Sequence, residues 1–439
     1  MKEIQVGLIG LGTVGCGLVE VLEDKKKVLE ERLGVPLRLK RVVDIDLERP
    51  RPVNLPGELL STRVEDILLD EEIQIVVELM GGMEPARTYL LEAMRQGKHV
   101  VTANKALLAV DGSELFAAAQ KYRVNIAFEA AVGGGIPLIR ALREGLVANR
   151  IKHIYGILNG TANYILTRMS REGSTFAEAL GEAQEHGFAE ADPGLDVEGT
   201  DAAHKIAILS SLAYGCTLDF DQVYMEGISH IDPLDIHFAR DFGYRIKLLA
   251  ISRSDGERID VRVHPTMIHQ EHVLAKVEGA YNAIHIAGDA VGDIMLYGQG
   301  AGMMPTGSAV ASDLVDLGRN LLAGTSVRIP PLACQENAVV HRQIKPMDEL
   351  VTNYYFRFSA KDRPGVLSII SGILGNHDIS IASVIQKGRK VKGSVAVVMM
   401  THEARERDVR MALRKIDRLQ VVTSPTRLIR VENNGSGDS

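Results

Sequence analysis

The chain has 439 residues, 46% hydrophobic and 24% charged. It is too long for one hydrophobic core and too ordinary in composition to be disordered, collagen-like or a coiled coil, so about three domains are expected. Its 50 basic and 57 acidic side chains give a net charge of −7, which supplies no basic field for a nucleic acid.

The three cysteines, Cys16, Cys216 and Cys334, are far apart and odd in number, a usage that fits a reducing cytoplasm. No run approaches the roughly 18 apolar residues of a membrane helix, and the chain starts directly into a strand pattern. Neither a membrane span nor an export leader is expected.

From Ile4 to about Glu129, short β-branched runs alternate with helical stretches: Ile4–Ile9, Leu37–Val43, Ile73–Glu78, His99–Val101 and Asn125–Phe128. This pattern predicts an α/β domain of Rossmann type over residues 1–132, a parallel sheet with helices on both faces. Gly10-Leu11-Gly12-Thr13-Val14-Gly15 follows the first run and opens a helix expected to reach toward Arg32. Strand before and helix after are the context that a dinucleotide fingerprint requires. Gly10 permits the turn, Gly12 admits a pyrophosphate to the backbone, and Gly15 allows close helix packing, with Thr13 and Val14 in the same loop. Asp44, at the end of the second run, would hold the ribose hydroxyls of NAD. Arg41, Arg49 and Arg51 nearby would suit the 2′-phosphate of NADP, although a solvated loop explains them equally well, so both cofactors stay open.

Residues 133–342 are richer in helical patterns and predict an α+β substrate and dimerisation domain. The densest polar stretch contains Glu190, Asp192, Asp196, Glu198, Asp201 and Lys205. Hydride arriving at a carbonyl carbon leaves negative charge on oxygen, which calls for a proton donor and a nearby cation. Lys205 lies one helical turn after Asp201, so the carboxylate can hold its ammonium group. Lys105 follows a strand at the ligand-binding edge of the first domain. An isolated pair at this spacing is usually a surface salt bridge, but the density of ionisable groups beside a dinucleotide fold argues for a site.

Glu129 followed by Val132, Gly134 and Ile136 suggests a hard-cation site, since a Gly-rich turn can aim carbonyls inward beside a carboxylate. A metal-free hinge is the simpler alternative. His264, His269 and His272 lack a metal-binding pattern and read as ordinary loop and core histidines. Residues 343–352, with Lys345-Pro346, read as a linker. Residues 353–431 predict a βαββαβ unit of ferredoxin-like type, and 432–439 a disordered tail. In that unit Asp362, Gly365 and Asn376 lie at turns where backbone amides and a polar side chain could meet an amino acid, or simply meet solvent.

The stretch from Ala183 to Lys205 resembles, along its whole length, the signature of homoserine dehydrogenase, with Gly187, Asp192-Pro193, Asp196, Gly199, Asp201 and Lys205 at that family's spacings. The resemblance covers nearly the whole chain: the fingerprint, Val77–Gly82, Thr102–Lys105, Glu129–Pro137, Asn159–Thr161 and Gly300–Gly302. The last third resembles an ACT domain, as in monofunctional, threonine-regulated members. It implies a cytoplasmic homo-oligomer, dimer or tetramer, that reduces aspartate semialdehyde to homoserine with NAD(P)H, on the way to threonine, methionine and isoleucine. It further implies Lys205 as acid/base, substrate contacts from Glu190 and Asp201, and Gly187 and Gly302 near the cofactor. Residues 300–340 would return to the first domain. Na⁺ or K⁺ would sit at Glu129 and the carbonyls of Val132, Gly134 and Ile136, and L-threonine would be the effector. Asp196 is a natural second partner for the substrate's α-ammonium group. Other NAD(P)-dependent amino-acid aldehyde or alcohol oxidoreductases, and a non-catalytic metabolite sensor, are the alternatives. A chain ending near Leu350 is expected to fold, keep its chemistry and lose any response to threonine.

Overall fold

The computed structural model describes residues 3–386 and 394–432. The first sheet is parallel throughout, in the order Leu60–Ser61, Leu37–Val43, Ile4–Ile9, Ile75–Glu78, His99–Thr102, Ile126–Ala127. This is the doubly wound order, and its direction reverses between Ile4–Ile9 and Ile75–Glu78, where a crevice opens beyond the carboxyl ends of the strands. Successive residues serve opposite faces. Val6, Leu8, Ile75 and Val77 pack with the helices Thr13–Asp24 and Met303–Leu322, whereas Ile9, Val76 and Val100 pack with Ala86–Arg95 and Lys105–Lys121.

The helix expected to reach Arg32 is present as Thr13–Asp24 and Lys26–Leu33. The Leu29 N–H still reaches the Lys25 carbonyl at 2.9 Å, so Lys25 marks an irregularity, and the true stop is Gly34 at φ +90°. Met303–Leu322 returns from the second domain and lies against Thr13–Asp24. A Cβ on Gly307 would come 2.5 Å from the carbonyl carbon of Gly17, so only glycine admits this approach.

The second sheet runs Gly292–Gln299, Tyr281–Gly288, Ile151–Ile157, Tyr244–Ser254, Ile259–His269, then continues into Val422–Glu432, Val351–Lys361, Ser394–Thr401 and Ile381–Gln386. The last four strands, with helices Val366–Gly375 and Glu406–Ile416, form the βαββαβ unit. Tyr354, Phe356 and Phe358 face those helices. Tyr355, Val398, Met400, Ile429 and Val431 face the other way, into the core shared with the second domain.

This continuity changes how the last third relates to the rest. Ile259–His269 pairs in parallel with Val422–Glu432, through Thr266 with Arg430, Met267 with Val431 and Ile268 with Glu432. Buried charges cross the same boundary. Arg357 holds Asp235 at 2.5 and 2.9 Å, and the Tyr355 hydroxyl donates to Asp235 at 3.0 Å. Arg430 pairs with Glu226 at 2.7 Å and Glu406 at 2.6 Å. The segment expected as a linker is itself docked: Ile344 is buried and bridges to Ile259, Lys345 pairs with Asp255 at 2.6 Å, and Glu349 pairs with Arg258 at 2.9 Å. Glu432, placed in the tail from sequence, ends a strand and pairs with Arg253 and Arg262, while residues 433–439 lie outside the described residues.

A chain ending near Leu350 would therefore leave Ile259–His269 without its neighbour and bare the apolar face that meets Tyr355 and Val431, so aggregation replaces the clean folding expected from sequence. In the full chain, Asp235→Ala leaves Arg357 buried without its partner, since Asp235 is only 1% exposed. A loss of about 3–5 kcal/mol is expected in denaturant unfolding. An unchanged midpoint would mean that this pair does not hold the two parts together.

No helix among the described residues is long and apolar enough to cross a membrane.

Candidate active site

The ends of the strands Ile75–Glu78, His99–Thr102 and Ile151–Ile157 and the starts of three helices, Lys105–Lys121, Gly160–Glu172 and Thr200–Tyr214, converge at the crevice. Glu78 ends its strand fully buried and accepts hydrogen bonds from the Thr102 hydroxyl at 2.6 Å and the N–H groups of Met80 and Gly81 at 2.9 and 3.0 Å. Burial pushes its carboxyl up, against those hydrogen bonds. Thr102 Oγ1 in turn accepts from the Asn104 N–H at 3.0 Å, and Asn104 caps the helix Lys105–Lys121 by accepting from Leu107 N–H at 3.2 Å. This chain of bonds fixes Lys105 at the first helical position, facing the crevice edge.

Lys205 comes from the helix Thr200–Tyr214, whose N-terminus turns at Gly199, φ +88°. Asp201 lies between the two lysines: Lys105 Nζ is 3.1 Å from one carboxylate oxygen and Lys205 Nζ 2.7 Å from the other. Side-chain exposure separates their circumstances, 40% for Lys105 against 9% for Lys205. Lys205 Nζ also donates to the Leu158 carbonyl at 2.7 Å, which accepts a second bond from Asn282 Nδ2 at 2.9 Å. Burial alone would raise the Asp201 carboxyl, but the ammonium groups of Lys205 and Lys105 outweigh it and hold the group below the usual carboxylate range.

Asn159 ties the fourth charge to these three. Its Oδ1 caps the helix Gly160–Glu172 by accepting from Ala162 N–H at 2.7 Å. Its Nδ2 donates to Asp196 at 2.7 Å and to Asp201 at 2.9 Å. Burial pushes the Asp196 carboxyl up, and the neighbouring Asp201 charge adds to this, against the Asn159 hydrogen bond.

Family models match the three parts in turn: "Homoserine dehydrogenase, NAD binding domain" over residues 10–129, "Homoserine dehydrogenase" over 137–315 and "ACT domain" over 354–420. A homoserine dehydrogenase of Neisseria gonorrhoeae is 45% identical over 99% of both chains. The chain belongs to the homoserine dehydrogenase family. The crystal structure of a homoserine dehydrogenase from Thiobacillus denitrificans matches with a TM-score of 0.92 at 47% identity, covering 99% of each chain. A hyperthermophilic archaeal homoserine dehydrogenase mutant in complex with NADPH matches with a TM-score of 0.63 at 28% identity, covering 74% of this chain and all of that one. As a homoserine dehydrogenase it is an NAD(P)-dependent oxidoreductase, which removes the non-catalytic sensor from consideration.

On the cofactor side, Gly10 has φ +97°, and a Cβ there would lie 2.7 Å from the backbone of Leu79 and Met80, so the fingerprint turn packs directly on the loop after Glu78. A Cβ on Gly12 would meet nothing within 4 Å. That open backbone beside the N-terminus of Thr13–Asp24, where Thr13, Val14 and Gly15 begin the helix, fits a pyrophosphate. Asp44 accepts from the Leu11 N–H at 2.7 Å and pairs with Arg51 at 3.2 Å, while Arg51 Nε donates to the Leu11 carbonyl at 3.0 Å. The acid and the guanidinium thus lie together against the fingerprint loop. Arg41 is engaged elsewhere, donating to the Glu58 carbonyl at 2.5 Å.

The remaining site residues expected from sequence fall in other places. Glu190 and Gly187 occupy an exposed loop, and the Glu190 carboxylate has no ion-pair partner among the described residues. Gly302, φ +128°, precedes the returning helix Met303–Leu322. Glu129 is buried, with one carboxylate oxygen accepting from Ile139 N–H and the other from Arg140 N–H, both at 2.9 Å. Its own N–H donates to Asp313, whose carboxyl burial and the Glu129 charge push up to about 7. Val132 and Ile136 are buried beside it, and Gly134 turns at φ +55° against the Gly300 backbone. Asp362, Gly365 and Asn376 are exposed, with Gly365 and Asn376 at opposite ends of Val366–Gly375.

Glu78, Asn159, Asn282 and Asp313 were given no role from sequence. Asn159 had a local signal, an asparagine preceding a helical run, but its second function depends on contacts with residues far along the chain.

Proposed function

We propose that this homoserine dehydrogenase reduces L-aspartate 4-semialdehyde to L-homoserine, reversibly, with Lys205 as the acid/base. The observation that carries the reading is the pair of ammonium groups held by one buried carboxylate at the crevice edge. The fingerprint and its open Gly12 backbone would hold the dinucleotide, and its nicotinamide would supply the hydride. Lys205 donates a proton to the aldehyde oxygen and recovers one from solvent, while Asp201 and the Leu158 carbonyl fix the direction of its ammonium group. Lys105 adds positive charge beside the forming alkoxide. Asp196 and Glu190, neither of them ion-paired to a described residue, hold the substrate's α-ammonium group. Initial rates with homoserine and each nicotinamide cofactor test this reading, and no homoserine-dependent reduction of either cofactor would refute it.

Glu190→Gln keeps the shape and removes the charge, so KM for homoserine should rise more than KM for the cofactor. Equal effects on both would show that Glu190 positions the loop and leaves the substrate to Asp196. For cofactor choice, Asp44→Ala removes the acid that would hold ribose hydroxyls and releases Arg51 for a 2′-phosphate. The ratio of kcat/KM for NADPH over NADH should rise about tenfold, the worth of one hydrogen bond to a charged group. Unchanged selectivity would take Asp44 out of that role.

The buried Glu129 carboxylate has no ion-pair partner among the described residues, and each oxygen accepts one backbone N–H, leaving room for another ligand. Na⁺ or K⁺ would sit there, with carbonyls of Val132, Gly134 and Ile136 as its further ligands. L-threonine is the proposed effector of the ACT unit. Gly365 and Asn376 lie about 16 Å apart along one helix, so one amino acid meets both only between two ACT units of a homo-oligomer. A route inward would run through Arg430, which holds Glu226, because, two residues on, the Ile228 N–H donates to the Val197 carbonyl at 2.8 Å, next to Asp196. The reading places the enzyme in the cytoplasm, in threonine, methionine and isoleucine formation.

A further inference from the structure

On the second sheet, away from the crevice, three strands bring together side chains that the reaction does not use. His153 on Ile151–Ile157 pairs across the sheet with Ala287 on Tyr281–Gly288, and Ala287 pairs with Asp293 on Gly292–Gln299. Directly paired residues share a face, and so does His285, two residues before Ala287. His153, His285 and Asp293 thus surround the small Ala287 side chain. One ligand atom from each lies within 4.8 Å of the others, and His285 Nε2 is 3.5 Å from Asp293 Oδ1. The Asp293 side chain is 72% exposed, so the cluster is open to water on that side. His285 Nδ1 is buried without a hydrogen-bond partner among the described residues, and the polar contact of the ring is that of Nε2 with Asp293.

We propose that His153, His285 and Asp293 form a binding site for a divalent transition-metal ion of the Zn²⁺ class, with water as the fourth ligand. Two imidazoles exclude Mg²⁺ and Ca²⁺, which take oxygen ligands, and favour Zn²⁺, Co²⁺ or Ni²⁺. One carboxylate neutralises half of the ion's charge, and a set of three protein ligands is that of an open zinc site. The rings of His272 and Tyr155 flank His285, with centroids at 5.5 and 6.3 Å, and shield it on the protein side. The ion would tie together three strands, two of which reach the active site, since Ile151–Ile157 runs straight into Leu158 and Asn159 and Tyr281–Gly288 contains Asn282. The site is separate from the monovalent site at Glu129.

The full chain, stripped with a chelator and dialysed, is titrated with ZnSO₄ by calorimetry and with Co²⁺ by visible absorption. Saturable binding is expected, with the d–d bands of a four-coordinate cobalt site. His153→Ala should weaken Zn²⁺ binding by more than the about 10–100-fold that loss of an outer-shell partner costs. Asp293→Asn, on the exposed rim, should fold normally and also weaken it. Wild-type protein should gain thermal stability with Zn²⁺ and the variants should not. No saturable binding, or equal affinity in wild type and both variants, overturns the assignment.

Discussion

Lys205→Ala is expected to lower kcat by about 10² or more, the usual contribution of a general acid/base, with cofactor affinity close to normal. The side chain is nearly buried between the Leu158 carbonyl and Asp201, so its ammonium group is held in one place and cannot be replaced by a neighbour. Lys105, on the far oxygen of Asp201, remains in the variant and keeps some positive charge at the site. The expected pattern is therefore slow turnover on an intact cofactor site, checked by steady-state rates and a cofactor titration of the same preparation. Wild-type turnover in a folded variant would remove Lys205 from the chemistry.

Asp201→Asn should be nearly as severe for a different reason. The carboxylate is the shared partner of both ammonium groups and one acceptor of Asn159, so the neutral amide cancels two ion pairs and leaves Lys205 buried without a counter-charge. Removing one member of a buried pair costs about 3–5 kcal/mol. Lower thermal stability is expected together with a kcat loss of about 10², because both lysines lose their alignment. An active variant of normal stability would show that the Leu158 carbonyl alone suffices to hold Lys205. Asp201 stays ionised to below the usual carboxylate range, so loss of activity between pH 6 and about 4.5 should be traced to other groups.

The fingerprint, the strand ends and the Asp201–Lys205 pair were legible because each is a short-range pattern: a turn, a strand run, one helical spacing. The doubly wound sheet followed from them, since parallel strands alternating with helices have few arrangements. What the sequence hid depends on long-range pairing. Asn159 meets Asp196 and Asp201 only after two helices have packed, and Glu78 reaches Lys105 through Thr102 and Asn104. The docking of the last third hides in the parallel pairing of Ile259–His269 with Val422–Glu432, which leaves no local mark. Polar residues such as Lys345 and Glu349 read as a linker, yet their partners Asp255 and Arg258 fix them in place. Likewise His153, His285 and Asp293 show no regular spacing, because sheet register alone brings them into one row.

The most direct test of the Lys105–Asp201–Lys205 arrangement compares semialdehyde reduction by wild type, Lys205→Ala and Lys205→Arg. Arginine keeps the positive charge beside Asp201 but does not give up its proton at any working pH. If Lys205 transfers a proton, the arginine variant falls with the alanine variant, about 10² or more below wild type, while cofactor binding persists. A kcat for Lys205→Arg within a few fold of wild type would contradict the account, since charge alone would then carry the reaction.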